Sequence, residues 1–342
     1  MLKVLIVKLS SLGDVVHAMP AVQDIRRAWP QAQVDWVVEP AFADLVRRCE
    51  GVGRVIECHQ RQWRRAPFSA ATREAFGRFR AELRATAYDA VIDLQGLTKS
   101  AVVARLARLA PGGLRHALAH ATDGSSYEVP TRWVADRVVG MPRRIHAVDR
   151  SRVLCAHALG YRPDGPEVFG LRCAGAPEGG GREVVLVHGT SRADKLWPEA
   201  HWVDLGWRLL AQGHRLGLPH GSDEEQQRAQ RLADALGDAA SVWPRLPLGA
   251  LADRMAGCAG VIGVDSGLSH IATALDRPHV QVYNHDTAWR TGPVGRARQV
   301  SVFATPVPSV DAVWQAWQRV AAFTVVASGS TAPESAAPGS AA

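Results

Sequence analysis

The chain has 342 residues, of which 47% are hydrophobic and 21% charged; that is ordinary for a soluble folded protein, and the length calls for two domains because it exceeds one ordinary core. No apolar run reaches the roughly 18 residues that cross a bilayer, and the four-residue apolar run between Lys3 and Lys8 is too short for a signal peptide, so the expected location is the cytoplasm. The net charge of +7 is uneven: residues 1–170 carry 25 Lys and Arg against 17 Asp and Glu, and the remainder 15 against 16, which suggests an anionic partner met by the first half or a generally arginine-rich composition.

In chain order, Leu2–Val7 reads as a strand and Asp14–Trp29 as a helix. The loop between them, Lys8 to Asp14, lacks the spacing of a dinucleotide or Walker loop. It places one carboxylate, Asp14, at a strand end, where it can take a proton from an attacking hydroxyl or simply favour the helix N-terminus. Val34–Val38 reads as the next strand. Arg61-Gln62-Trp63-Arg64-Arg65 follows, either a site for carboxylates and phosphates or a plain basic loop. Ala70–Arg84 and Leu97–Leu109 read as helices around the strand Ala90–Leu94, whose end, Asp93-Leu94-Gln95-Gly96, faces the presumed cleft.

Ala174–Gly181, with a proline and three consecutive glycines, reads as a flexible linker within 174–182. The pattern then restarts. Strands are expected at Val184–His188, Arg215–Leu218, Val261–Val264 and Val280–Tyr283, and helices at Glu199–Gln212, Asp223–Leu236, Leu248–Ala256 and Leu268–Leu275. Alternation of this kind, seen twice, means two doubly wound α/β domains, residues 1–173 and 183–308, with parallel sheets. Ser309–Phe323 has helical spacing with Ser309 as cap. The segment 327–342 has no apolar periodicity and is expected to be disordered.

Three loops of the second domain carry candidate chemistry. His188 to Pro198 offers glycine, the hydroxyls of Thr190 and Ser191, and Lys195, suited to a phosphate; it also fits an ordinary loop. Leu218 to Glu225 offers Glu225 for ribose hydroxyls, or merely an acidic helix start. Gly260 to Pro278 gives a buried strand, then Asp265-Ser266-Gly267, then a helix whose free N–H groups suit a phosphate; Asp265 or Ser266 would equally serve as a helix cap. The five cysteines are scattered without a C-x-x-C, and the thirteen histidines include no H-E-x-x-H, so neither a disulfide frame nor a metal site is expected. No recognition motif supports nucleic-acid binding.

Taken together, VLIVKLSSLGDVVHAMPA, WVVE, RQWRR, YDAVIDLQGLTKSA, HGTSRADKLWP and VDSGLSHIATALDRP resemble the bacterial ADP-heptose:lipopolysaccharide heptosyltransferases, most closely their heptosyltransferase I branch, over residues 1–323. The resemblance implies a GT-B fold, two Rossmann-like domains facing across a cleft, with the final helix returning to the first domain. It implies an inverting transfer of L-glycero-D-manno-heptose from ADP-heptose to a Kdo sugar of the lipid A inner core, without a metal or other cofactor. By resemblance Asp14 is the base and Lys195 the phosphate-binding lysine. Thr190, Ser191, Glu225, Asp265, Ser266, Gly267 and His270 fall at the donor, and Ser11, Arg61, Arg64 and Arg65 at the acceptor. The enzyme would sit peripherally on the cytoplasmic face of the inner membrane. Tyr283-Asn284-His285-Asp286 departs from the family's Tyr-Gly-Pro-Thr. A transferase for a later heptose and a non-catalytic lipopolysaccharide- or nucleotide-binding protein remain the alternatives, since fold alone does not prove activity.

Overall fold

The computed structural model describes residues 1–174, 181–293 and 297–328. The first domain runs β1 (Lys3–Val7), α1 (Leu12–Ala28), β2 (Gln33–Val38), α2 (Pro40–Arg47), β3 (Val52–Glu57), α3 (Gln60–Trp63), α4 (Ala70–Arg84), β4 (Ala87–Asp93), α5 (Thr98–Leu106), β5 (Arg108–Leu118), α6 (Pro130–Val134), β6 (Arg137–Val139) and α7 (Ala147–Leu159). The second runs β7 (Glu183–Val187), α8 (Glu199–Ala211), β8 (Arg215–Leu218), α9 (Asp223–Leu236), β9 (Ala240–Val242), α10 (Leu248–Ala256), β10 (Gly260–Val264), α11 (Gly267–Ala274), β11 (His279–Tyr283), α12 (Ala288–Thr291), β12 (Gln299–Phe303) and α13 (Val310–Ser328).

Each domain holds a six-stranded sheet, ordered β3-β2-β1-β4-β5-β6 and β12-β11-β10-β7-β8-β9. Every pairing is parallel, and the two orders are the same once each domain is counted from its own first strand. Parallel strands are covered on both faces and so read as unbroken apolar runs. In β1, Val4 and Ile6 enter one core while Leu5 and Val7 enter another on the opposite face. The strand order reverses between β1 and β4 and again between β7 and β10. Ligands bind outside the carboxyl ends of strands at such reversals.

The domains share a continuous core. Val185, Val187, Val261 and Ile271 of the second domain pack in one cluster with Val15, Val16, Met19 and Val22 of α1. The helices α1 and α11 pack together, as do α2 and α10. Arg48 pairs with Asp253 at 2.5 Å, and the Gly249 N–H donates to Asp44. The chain leaves the first domain near Arg172, whose N–H donates to the Arg48 carbonyl, and Ala174 N already donates to Asp253. The expected linker 174–182 lies outside the described residues over 175–180.

Two expectations need correcting. The last helix does not return to the first domain: α13 packs on β11, β12 and α8, with Val310, Val313, Ala316, Trp317 and Val320 buried in the second domain's core. The reason is local, since a short connection follows β12 and the apolar stripe of α13 fits the adjacent sheet. Ser309 does cap it, its Oγ accepting from Ala312 N. The disorder expected from Ala327 is not met at Ala327 and Ser328, where the helix continues; residues 329–342 lie outside the described residues. Strands β3, β5, β6, β9 and β12 had no clear sequence signal. β5 contains Pro111-Gly112-Gly113 at a register shift with β4, and β6 and β9 are only three residues long.

Candidate active site

The loops at both reversals converge on one polar cavity of about 270 Å³ between the domains. From the first domain come Lys8, Ser11, Asp14, His17 and Arg150, and from the second Ser191, Lys195, Asp265, Ser266, Gly267 and His270. The two helix N-termini, of α1 and α11, approach closely here. A Cβ on Gly13 would stand 2.6 Å from the His270 ring, and one on Gly267 would stand 2.7 Å from Leu12, so glycine at both positions lets the domains meet.

Asp14 is the third residue of α1. The Ser11 N–H and hydroxyl both donate to its Oδ2, at 3.2 and 2.9 Å, so it does support the helix start. Its Oδ1 faces two cations, Lys8 Nζ at 3.4 Å and Arg150 Nη2 at 3.6 Å. Burial pushes its pKa up, but Lys8, Arg150 and the Ser11 bond outweigh burial and hold it well below the ordinary carboxylate range. Lys8 is itself buried, with its pKa lowered by desolvation against the pull of Asp14, and it also donates to the Leu94 carbonyl. The loop is braced by Gln95, whose Oε1 accepts from Leu9 N and Ser10 N. Asp93 braces the next turn, accepting from Gln95 N, Gly96 N and Ser100 Oγ.

Across the cavity, Lys195 closes a 3-10 turn, Ala193–Lys195, and its Nζ lies 2.6 Å from Asp265 Oδ2. The other oxygen of Asp265 is 3.6 Å from His270 Nε2. Thr190 Oγ1 donates to the Asp265 carbonyl, tying the loop after β7 to the turn after β10. Ser266 begins α11 without a side-chain cap bond. Its hydroxyl is buried and unpartnered on the cavity wall, which leaves it to a ligand. Glu225 does not line the cavity: it accepts from Gly221 N at 2.7 Å and lies against Gly189, where a Cβ would come within 2.5 Å of it.

The basic segment stands apart. Arg61, Glu39, His59 and Arg65 line a separate groove of about 370 Å³. Arg61 pairs with Glu39 at 2.7 Å while 73% exposed, and Arg64 and Arg65 are exposed. A polar relay links that groove to the cavity, because Lys99 Nζ donates to Ser10 Oγ at 2.9 Å and sits 3.6 Å from Glu39. The departing segment Asn284-His285 contacts the turn that carries Lys195: Asn284 donates to the Asp194 carbonyl and His285 faces the Asp194 carboxylate at 3.4 Å.

The sequence reading missed Lys8, His17, Arg150 and Arg290, which line the cavity, and His146 beside His17. His17 lies one turn beyond Asp14, so helical spacing gave a signal for it; a lysine closing a buried strand was the signal for Lys8. His146, the N-cap of α7, and Arg150 in its first turns carry none without the fold. The His17 ring tilts against that of His270, centroids 4.3 Å apart and planes at 58°, and lies 5.9 Å from His146. Burial lowers the pKa of all three, His270 to about 4. Among the described residues no group of three His, Cys, Asp or Glu could hold a metal ion.

Two matching parallel-sheet domains, joined at their strand-order reversals around one polar cavity, are the GT-B architecture of sugar-transferring enzymes. A family model described as glycosyltransferase family 9 (heptosyltransferase) matches residues 76–312, and the chain belongs to that family. It is 39% identical over 305 residues to lipopolysaccharide heptosyltransferase 1 of Escherichia coli (strain K12), covering 87% of this chain and 93% of that one. It is 41% identical over 292 residues to the protein of the same name from Salmonella typhimurium, covering 82% and 88%. The solved structure titled E. coli heptosyltransferase WaaC with ADP superposes with a TM-score of 0.82 at 37% identity, covering 92% of this chain and 98% of that one.

Proposed function

We propose that this glycosyltransferase moves L-glycero-D-manno-heptose from ADP-heptose onto a Kdo sugar of the lipid A inner core, with inversion. The observation that carries the reading is that Asp14 of one domain and the Lys195–Asp265 pair of the other line one cavity. The acceptor hydroxyl loses its proton to Asp14 as its oxygen attacks the anomeric carbon. The bond from that carbon to the diphosphate breaks, and ADP departs on the opposite face. Lys195 and the N-terminus of α11, with Ser266 and Gly267, meet the charge growing on the diphosphate. Thr190, Ser191, Asp265 and His270 shape the donor pocket, and Glu225 supports the loop that faces the nucleotide. Ser11 with Arg61, Arg64 and Arg65 receives the acidic acceptor. The chemistry asks for no metal ion, because cationic side chains face the diphosphate.

Support comes from relatives named lipopolysaccharide heptosyltransferase 1 at about 40% identity and from the solved structure titled WaaC with ADP-2-deoxy-2-fluoro heptose, 37% identical. We place the enzyme on the cytoplasmic face of the inner membrane, held peripherally by its basic first domain; no helix among the described residues is long and apolar enough to cross a membrane. The test is purified protein with ADP-heptose and Kdo–lipid A in EDTA, following ADP release and product mass. A gain of one heptose supports donor, acceptor and metal independence together. Transfer only to a heptose-bearing core moves the acceptor to a later step. No transfer to either acceptor, with retained binding of lipid A core, makes this a binding protein.

A further inference from the structure

The first domain leaves large apolar side chains in water where the site does not use them. Phe68 is 88% exposed and Trp133 78%, and Val102, Val129 and Val138 are exposed as well. Val129 and Trp133 are four residues apart at α6, which packs on α5, the helix that carries Val102; Val138 lies in β6 just beyond. Arginines 105, 132 and 137 are exposed among them. Phe68 follows the segment holding Arg64 and Arg65, and α3 is joined to the start of α5 through a Gln60 to Lys99 hydrogen bond. An apolar patch of this kind marks an interaction surface.

Its position points to one partner. The N-terminus of α5 touches the first loop through Lys99 and Ser10. The helix α6 follows the Gly124–Ser126 loop, which lines the cavity. The patch therefore borders the cavity on the side of the proposed acceptor segment. We propose that this α5–α6 rim, together with Phe68, is the face that docks on an anionic bilayer. Trp133 and Phe68 enter the headgroup region, and the surrounding arginines meet lipid phosphates. Aromatic side chains favour that depth, and apolar area and positive charge combine in interfacial binding. The inference rests on the reading that the acceptor is an acylated molecule held in the membrane, which requires the cavity mouth to come to the bilayer. A contact between two copies of the chain would bring these arginines against one another, so charge favours the anionic surface.

The experiment uses vesicles without acceptor, so its result does not depend on heptose transfer. The protein should float with phosphatidylglycerol vesicles and not with phosphatidylcholine vesicles at moderate salt. Trp133→Ser should lower the bound fraction roughly fivefold, the order for withdrawing part of one large aromatic from an apolar phase. Phe68→Ser should lower it as well. Transfer to a deacylated, water-soluble acceptor should be unchanged in Trp133→Ser, which also shows that the variant folds. The proposal is overturned if the unaltered protein ignores phosphatidylglycerol vesicles or if both variants float as it does. It is also overturned if sedimentation shows a dimer that Trp133→Ser converts to monomer, since the patch is then a contact between copies. If transfer fails on every acceptor while vesicle binding follows the expected pattern, the heptosyltransferase reading falls and the docking face stands.

Discussion

Lys195 Nζ and Asp265 Oδ2 lie 2.6 Å apart, both largely shielded from water, at the point where the proposed diphosphate arrives. The pair keeps a buried carboxylate neutralised until an anion takes a share of the lysine. Breaking a shielded pair from one side leaves an uncompensated charge. Lys195→Met should therefore lower kcat and also destabilise the fold by about 1–3 kcal/mol. Lys195→Met combined with Asp265→Asn should recover most of that stability and none of the activity. Urea unfolding and steady-state kinetics on the two variants check this; equal stability of single and double variants would remove the coupling.

Asp14 makes a second prediction. Lys8 and Arg150 favour its ionised form, so the free enzyme carries a ready but weak base. Asp14→Ala should reduce transfer by about 10²- to 10⁴-fold, the usual worth of a positioned base, while ADP titration by calorimetry stays near that of the unaltered protein. Retained turnover would take Asp14 out of the mechanism. Because Lys8, Arg150 and the Ser11 bond outweigh burial and hold its pKa low, Asp14 should add no acidic limb to kcat/KM between pH 5 and 8.

How far the sequence reached can be seen at particular residues. The strand β10 and the turn Asp265-Ser266-Gly267 were legible because a buried apolar run stops abruptly at polar residues. The helices α4, α9 and α10 were legible to the residue, since their apolar spacing is interrupted at both ends. Edge strands were not, because three residues leave no period to read. The partners of Asp14 were hidden for another reason. Arg150 lies 136 residues away and reaches it only because α7 packs on α1. The placement of α13 was misjudged because the choice between two sheets is made by tertiary packing, which apolar spacing along one helix does not report.

Gly13 gives a steric prediction. A methyl group there would stand 2.6 Å from the ring of His270, which is buried and wedged between domains, so the ring has little room to withdraw. Gly13→Ala should push α11 away from α1 and lose activity. Small-angle scattering should show a larger radius of gyration, and thermal unfolding a lower midpoint. Gly77→Ala, on the exposed face of α4 where a methyl group meets nothing within 4 Å, should instead be neutral or slightly stabilising.

The histidines at the domain seam predict the response to acid. Burial lowers the pKa of His270 from the ordinary 6.5 to about 4, against the pull of Asp265 and Asp14, and lowers those of His17 and His146 as well. The other charges facing them are Arg150, Lys195, Asp149 and Glu167. Between pH 4 and 6.5 the unfolded chain binds the His270 proton and the folded chain does not, so stability rises with pH across that window and is flat for this group above it. The shift of His270 alone is worth roughly 3 kcal/mol between the two limits. His270→Gln removes that titration, so its urea stability should fall less between pH 6.5 and 4.5 than that of the unaltered protein. Parallel stability curves for the two proteins would show that the seam histidines do not set the acid limit.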